Sequence, residues 1–87
     1  MSPTSNGYLQ RFTSQHLEHS NDLQRSFLCG VLGELRQIDF DGGDEWYHAG
    51  RTFIADLIAG REPAPIPAAV VNPAIITGLQ QRVRVHH

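Results

Sequence analysis

Along the first half of the chain apolar residues recur at steps of three and four: Leu9 and Phe12, then Leu23, Phe27, Val31, Leu35 and Ile38, with Leu17, Leu28 and Leu32 widening the stripe. An α-helix gathers residues at this spacing onto one face, so the pattern predicts amphipathic helix from Gly7 onward. The stripe thins between Gln15 and Asp22, where Leu17 is the sole aliphatic residue and Ser20, Asn21 and Asp22 all suit an N-cap. Two helices broken near Ser20 are the preferred reading. The alternative is one helix of about thirty residues, whose apolar stripe would demand a partner helix. Gly30 and Gly33 each cost about 1 kcal/mol relative to alanine inside a helix, so they either weaken the segment or mark a place where a second helix comes close.

Asp39 to Gly43 has the composition of a turn, and Asp44 is placed to cap a third helix with Glu45 at the positive end of its dipole. Trp46, Gly50, Phe53, Ile54, Leu57 and Ile58 give that helix its apolar face, and Gly60 follows as a C-terminal stop. Arg61 to Pro67 places three prolines at alternate positions, which forbids helix and enforces extended geometry. Asn72 and Pro73 supply a cap and first-position proline for a helix to about Gln81, while the Arg82-Val83-Arg84-Val85 alternation suits a short edge strand. The fold expected is all-α: a small bundle of about three helices with an extended Pro-rich arm and a short C-terminal helix or strand. Its expected organisation is a disordered N-terminus (1–6), a helical body (7–60), a Pro-rich linker (61–67) and a C-terminal arm (68–87).

Eighty-seven residues allow one core, built from eight Leu, six Ile, five Val, four Phe and one Trp. A domain this short hides only about 60 to 65 % of the surface its unfolded chain exposes, so it often recruits a disulfide, a metal or a second subunit. The single Cys29 closes no internal disulfide, which points to a reducing, cytoplasmic setting. Met1 to Gly7 lacks the basic and apolar runs of a signal peptide, and no segment has the roughly 20 apolar residues needed to span a bilayer. The formal net charge is −2 with seven arginines and no lysine, too little positive field for non-specific nucleic-acid binding. Asp39, Asp41, Asp44 and Glu45 crowd one turn, whereas Arg82, Arg84, His86 and His87 end the chain, an asymmetry suited to steering a partner or joining subunits. His86 and His87 also read as remains of a purification tag.

Candidate chemistry is thin. His16 and His19 lie three apart around Glu18, but the zinc signatures H-E-x-x-H and H-x-x-E-H are absent, and a solvated polar face accounts for them. The Asp39 to Glu45 run resembles the start of a calcium loop, yet counting from Asp39 puts Asp44 where glycine is required and Gly50 where a bidentate Glu should stand. Cys29 sits among Phe27, Leu28, Val31 and Leu32 with no nearby cation to favour thiolate, and reads as inert core. G-x-S-x-G and the nucleotide-binding glycine loops do not occur, so no cofactor is implied. A DNA-reading helix-turn-helix is disfavoured because the helix after the turn opens with Asp44 and Glu45.

The preferred function is a small non-enzymatic regulator acting by stoichiometric protein binding, such as an anti-activator occluding a transcription factor or an enzyme, and itself a homodimer. The argument is that apolar content exceeds what one copy encloses, with Ile66, Val70, Val71, Ile75 and Ile76 lying beyond the helical body. Those five, with Trp46, Tyr47 and Phe53 of the third helix, are the expected protein-interface residues. Trp46 and Tyr47 point about 100° apart on a helix, so one is expected inside and the other near the surface. Two alternatives stand beside it: an enzyme or enzyme subunit using His48 with Asp44 one turn earlier, and an assembly component such as a phage or secretion-system part.

Overall fold

The described residues form four helices: α1 (Pro3–Leu17), α2 (Asp22–Arg36), α3 (Glu45–Ala59) and α4 (Pro73–Val85). The computed structural model describes residues 3–38 and 42–85, with side chains over 7–38 and 42–83. Expectations for Met1 and Ser2, for Asp39 to Asp41, and for His86 and His87 lie outside the described residues. Helix begins at Pro3, ahead of the apolar periodicity, so residues 3–6 join α1 where disorder was expected. Proline is at home in a first turn because the N–H it lacks would have had no helical partner.

The break after Leu17 confirms two helices. Asn21 is the cap, its Oδ1 accepting from Gln24 N at 2.9 Å. Ser20 instead turns back, its hydroxyl donating to the Leu17 carbonyl at 2.6 Å and closing the end of α1. α2 ends with Gln37 in the left-handed region at φ 57°, and the N–H groups of Gln37 and Ile38 return to the carbonyls of Glu34 and Gly33. α3 begins as expected, with Asp44 Oδ1 accepting from Tyr47 N at 2.9 Å. It stops at Gly60, φ 82°, with Gly60 N donating to Leu57 O and Arg61 N to Asp56 O.

α2 and α3 form the tightest pair, and glycine makes the contact. A Cβ added at Gly30 would overlap the Tyr47 carbonyl, and one added at Gly50 would overlap the Phe27 carbonyl, so the two backbones touch where no side chain fits. This settles the Gly30 question in favour of close helix approach. Hydrogen bonds fasten both ends of the seam. Ser26 Oγ donates to Asp44 Oδ2 at 2.9 Å, and Arg51 donates to Glu34 Oε1 from Nε at 3.3 Å and Nη2 at 3.2 Å.

α1 packs on α2, and α4 closes the body against α1 and α3. Asn72 Oδ1 caps α4 by accepting from Ala74 N at 2.9 Å, while Asn72 N donates to Gln24 of α2 at 3.1 Å. α4 then runs through Val85, so the alternating Arg82 to Val85 segment is helix and not strand. Gly78 does not interrupt it because the Phe12 ring of α1 fills the space where a side chain would stand. The proline stretch 61–67 has no regular structure, as expected, but it lies along the body as a strap, with Ile66 packed on the core. The radius of gyration, 11.7 Å, is close to the roughly 12 Å expected of a globular domain of this length.

The core joins all four helices: Leu9, Phe27, Leu28, Val31, Leu35, Phe53, Ile54, Ile75, Leu79 and Val83, with Val70 and Val71 from the turn before α4. Phe27 and Phe53 meet at 5.5 Å between ring centroids across the α2–α3 seam. Cys29 is partly exposed and not part of this core.

Asp44 ties this architecture to pH. Its carboxyl lies below the usual carboxylate range, chiefly because Tyr47 N–H donates to it and secondarily because the Ser26 hydroxyl does. A folded value below the unfolded one means that the contribution is complete above the unfolded pKa, about 3.9, and is lost as pH falls through the lower folded value. Asp44→Asn keeps an acceptor for the cap and removes the titration. Thermal melts from pH 7 down to pH 2 should therefore fall less steeply for the variant than for the wild type in the acid limb, and parallel curves would sink this assignment.

Candidate groove on the third helix

Eight residues were expected at a protein interface, and the fold divides them. Tyr47, Phe53, Val70, Val71 and Ile75 are buried within the single chain. Val70 and Val71 of the turn before α4, and Ile75 of α4 itself, pack into the core shared with the other helices, so these side chains present almost no area to a second molecule. One copy therefore hides Val70, Val71 and Ile75, while Leu23, Ile38 and Ile58 stay exposed. Trp46, Ile66 and Ile76 are partly exposed while packing against the core. Tyr47, absent from the apolar face expected of α3, turns inward, whereas Trp46, placed on that face, is only partly buried and Ile58 is exposed. The Tyr47 ring lies between α2 and the turn, where added Cβ atoms at Gly33 and Gly43 would strike its hydroxyl and its ring.

The fold brings two of the expected residues together in a groove of 280 Å³ lined by Glu45, His48, Ala49, Thr52, Phe53, Ala64 and Ile66. α3 supplies one wall and the proline strap the other. Ala49 and Phe53 fall one turn apart on the helix, and Trp46 shares their stripe at the three- and seven-residue spacings. The floor is thus apolar, from Ala49, Phe53 and Ile66, and the rim carries Glu45, His48 and Thr52, all three exposed. Sequence periodicity placed Phe53 correctly on the inward face of α3 but gave no sign that Ala64 and Ile66 would fold back beside it.

His48 and Asp44, the pair considered for chemistry, are both at this end of α3. Both Asp44 oxygens are engaged, Oδ1 by Tyr47 N and Oδ2 by Ser26 Oγ, so its role here is to hold the helix start and the α2–α3 seam. A larger hollow of 580 Å³ lies between the end of α3, the strap and α4, lined by Leu57, Gly60, Arg61, Glu62, Pro63, Gln80 and Val83. Its charged members are solvent-facing, with Arg61 paired to Asp56 at 3.0 Å. Among the described residues no group of three or more His, Cys, Asp or Glu is arranged to hold a metal ion, and no helix is long and apolar enough to cross a membrane. The chain matches no protein-family model, no curated protein and no solved structure.

Proposed function

We propose that this chain is a small non-enzymatic regulator that binds another protein stoichiometrically, in the manner of an anti-activator covering part of a transcription factor or an enzyme. The observation that supports the reading is the α3–strap groove, with its floor of Ala49, Phe53 and Ile66 inside a rim of Glu45, His48 and Thr52. An apolar centre ringed by polar side chains is the usual anatomy of a protein interface. At 280 Å³ the groove falls just below the roughly 300 to 1,000 Å³ of ordinary small-molecule sites, which suits an inserted side chain better than a cofactor. Trp46 on the same stripe adds an aromatic of the kind that anchors interfaces. Glu45 on the rim favours a protein partner over a nucleic-acid backbone. A cytoplasmic setting belongs to the same proposal, supported by a lone, partly exposed cysteine.

Thr52→Arg places a long charged side chain at the rim without touching the core. The variant should melt within about 0.5 kcal/mol of the wild type, as exposed substitutions do, while a partner captured by the wild-type chain from its native cell is lost. If both chains capture the same protein equally, the groove is not the binding site. Self-association through the same surface is read by sedimentation equilibrium at micromolar concentration: a wild-type dimer that becomes monomeric on Thr52→Arg would identify the partner as a second copy.

A further inference from the structure

Charge is divided sharply between the helices. The chain has nine acidic residues against seven arginines, yet α1 and α4 contain Arg11, Arg82 and Arg84 and not a single carboxylate. These two helices pack together, with the Phe12 ring of α1 against Gly78 of α4. One turn beyond Gly78, the Arg82 guanidinium carbon lies 3.9 Å from the centroid of that ring. Arg82 Nη1 also donates to the Gly78 carbonyl at 3.2 Å, so the guanidinium is held both by stacking and by a hydrogen bond.

What remains is the other edge of the group. Arg82 Nε is shielded from solvent and meets no hydrogen-bond acceptor among the described residues. In arginine the Nε–H and an Nη2–H lie along one edge and grip an oxyanion through two parallel bonds. A buried donor without an acceptor is costly, and a small rotation of the guanidinium that turns this edge to a bound acceptor would relieve that cost. Beside Arg82 opens a hollow of 140 Å³ lined by Tyr8, Arg11, Phe12, Gln15 and Arg82. Among the described residues it is lined by no carboxylate, and each of its polar side chains carries a donor. A space well under the usual 300 Å³ admits a single polyatomic ion and not an extended cofactor.

We propose that this hollow binds a phosphate dianion, free or as the terminal group of a small phosphomonoester, between Arg11 and Arg82 with Gln15 as a further donor. Two guanidiniums and an amide offer more donors than one carboxylate can accept, whereas a tetrahedral dianion has an acceptor for each. The site lies on α1 and α4, away from the α3–strap groove, and stands or falls apart from the protein-binding proposal.

The test is a proton–nitrogen NMR titration of the full chain at about pH 8, where phosphate is mostly dianionic, against sodium chloride at equal ionic strength. Inorganic phosphate and phenyl phosphate should each give saturable shifts at the amides of Tyr8 to Gln15 and Gly78 to Val83 and at Arg82 Nε–H, with Kd about 1 mM or tighter. Phenyl phosphate binding alone would assign the site to phosphomonoesters, and equal binding would leave free phosphate sufficient. Arg82→Lys keeps the charge and loses the fork, and should weaken binding at least about tenfold. Arg11→Gln, at an exposed position that cannot threaten the fold, should do the same. Shifts that do not saturate or scatter over all the arginines, affinity unchanged in Arg11→Gln, or acetate binding as well as phosphate would overturn the proposal. So would tighter binding of dimethyl phosphate, which would indicate a nucleic-acid backbone instead.

Discussion

Gly50→Ala should unfold this protein or lower its thermal midpoint by more than 10 °C, although the same exchange normally strengthens a helix. Alanine gains about 1 kcal/mol over glycine in a helix interior. At Gly50, however, the added Cβ would overlap the Phe27 carbonyl, a backbone atom that cannot rotate away, so α2 and α3 must move apart. Overpacking in a close-fitting core costs typically 1 to 3 kcal/mol and sometimes more, even where flexible side chains absorb the strain. Here the obstacle is main chain and the net loss should reach about 3 kcal/mol, or about 12 to 24 °C for a domain of this size. Gly30→Ala meets the Tyr47 carbonyl and should behave alike. Gly7→Ala is the control, because it also lies in a helix and an added Cβ there meets nothing within 4 Å. It should raise stability by up to about 1 kcal/mol. Differential scanning calorimetry of the three variants decides the matter, and a stabilised Gly50→Ala would mean that the helices do not cross as described.

Leu79→Ala should lower stability by about 2 to 5 kcal/mol, the range for removing a fully buried leucine. Leu79 is 0 % exposed and belongs to the core cluster that α4 shares with Leu9 and Phe53. For a chain of 87 residues whose total stability is about 4 to 13 kcal/mol, that loss is a large share of the whole. The outcome separates two pictures of the C-terminus. If residues 68–87 formed an independent arm, Leu79→Ala would leave the urea midpoint of the body nearly unchanged. If α4 closes the core, the midpoint falls and the transition remains single, as measured by circular dichroism and Trp46 fluorescence together.

Much of the helical layout can be read from the chain because its signals are local. Asn21 precedes α2 and Asp44 precedes α3, each accepting from an N–H three residues on. Gly60 adopts the left-handed conformation that its position after Ile58 and Ala59 suggests. The C-terminal third is harder because its determinants are distant in sequence. Gly78 looks like an interruption until the Phe12 ring is placed beside it, and nothing near Gly78 announces that ring. The prolines at 63, 65 and 67 forbid helix, but they do not say whether Ile66 faces solvent or the body. Tertiary packing turned it inward. The same gap explains the interface residues. Counting apolar side chains treated Val70, Val71 and Ile75 as excess, whereas their burial depends on α4 folding back across α1 and α3. The groove itself was half legible: α3 periodicity placed Phe53 on its inward face, while the opposite wall comes from a segment whose path only the fold defines.

The glycine seam has a consequence for recognition. Two helices whose main chains touch can neither slide nor roll without collision, so α3 presents His48 and Thr52 at a fixed angle. A partner would meet a preorganised surface, and little conformational entropy would be lost from this side on docking. Under those conditions substitutions around the groove should alter how long a complex lasts far more than how quickly it forms.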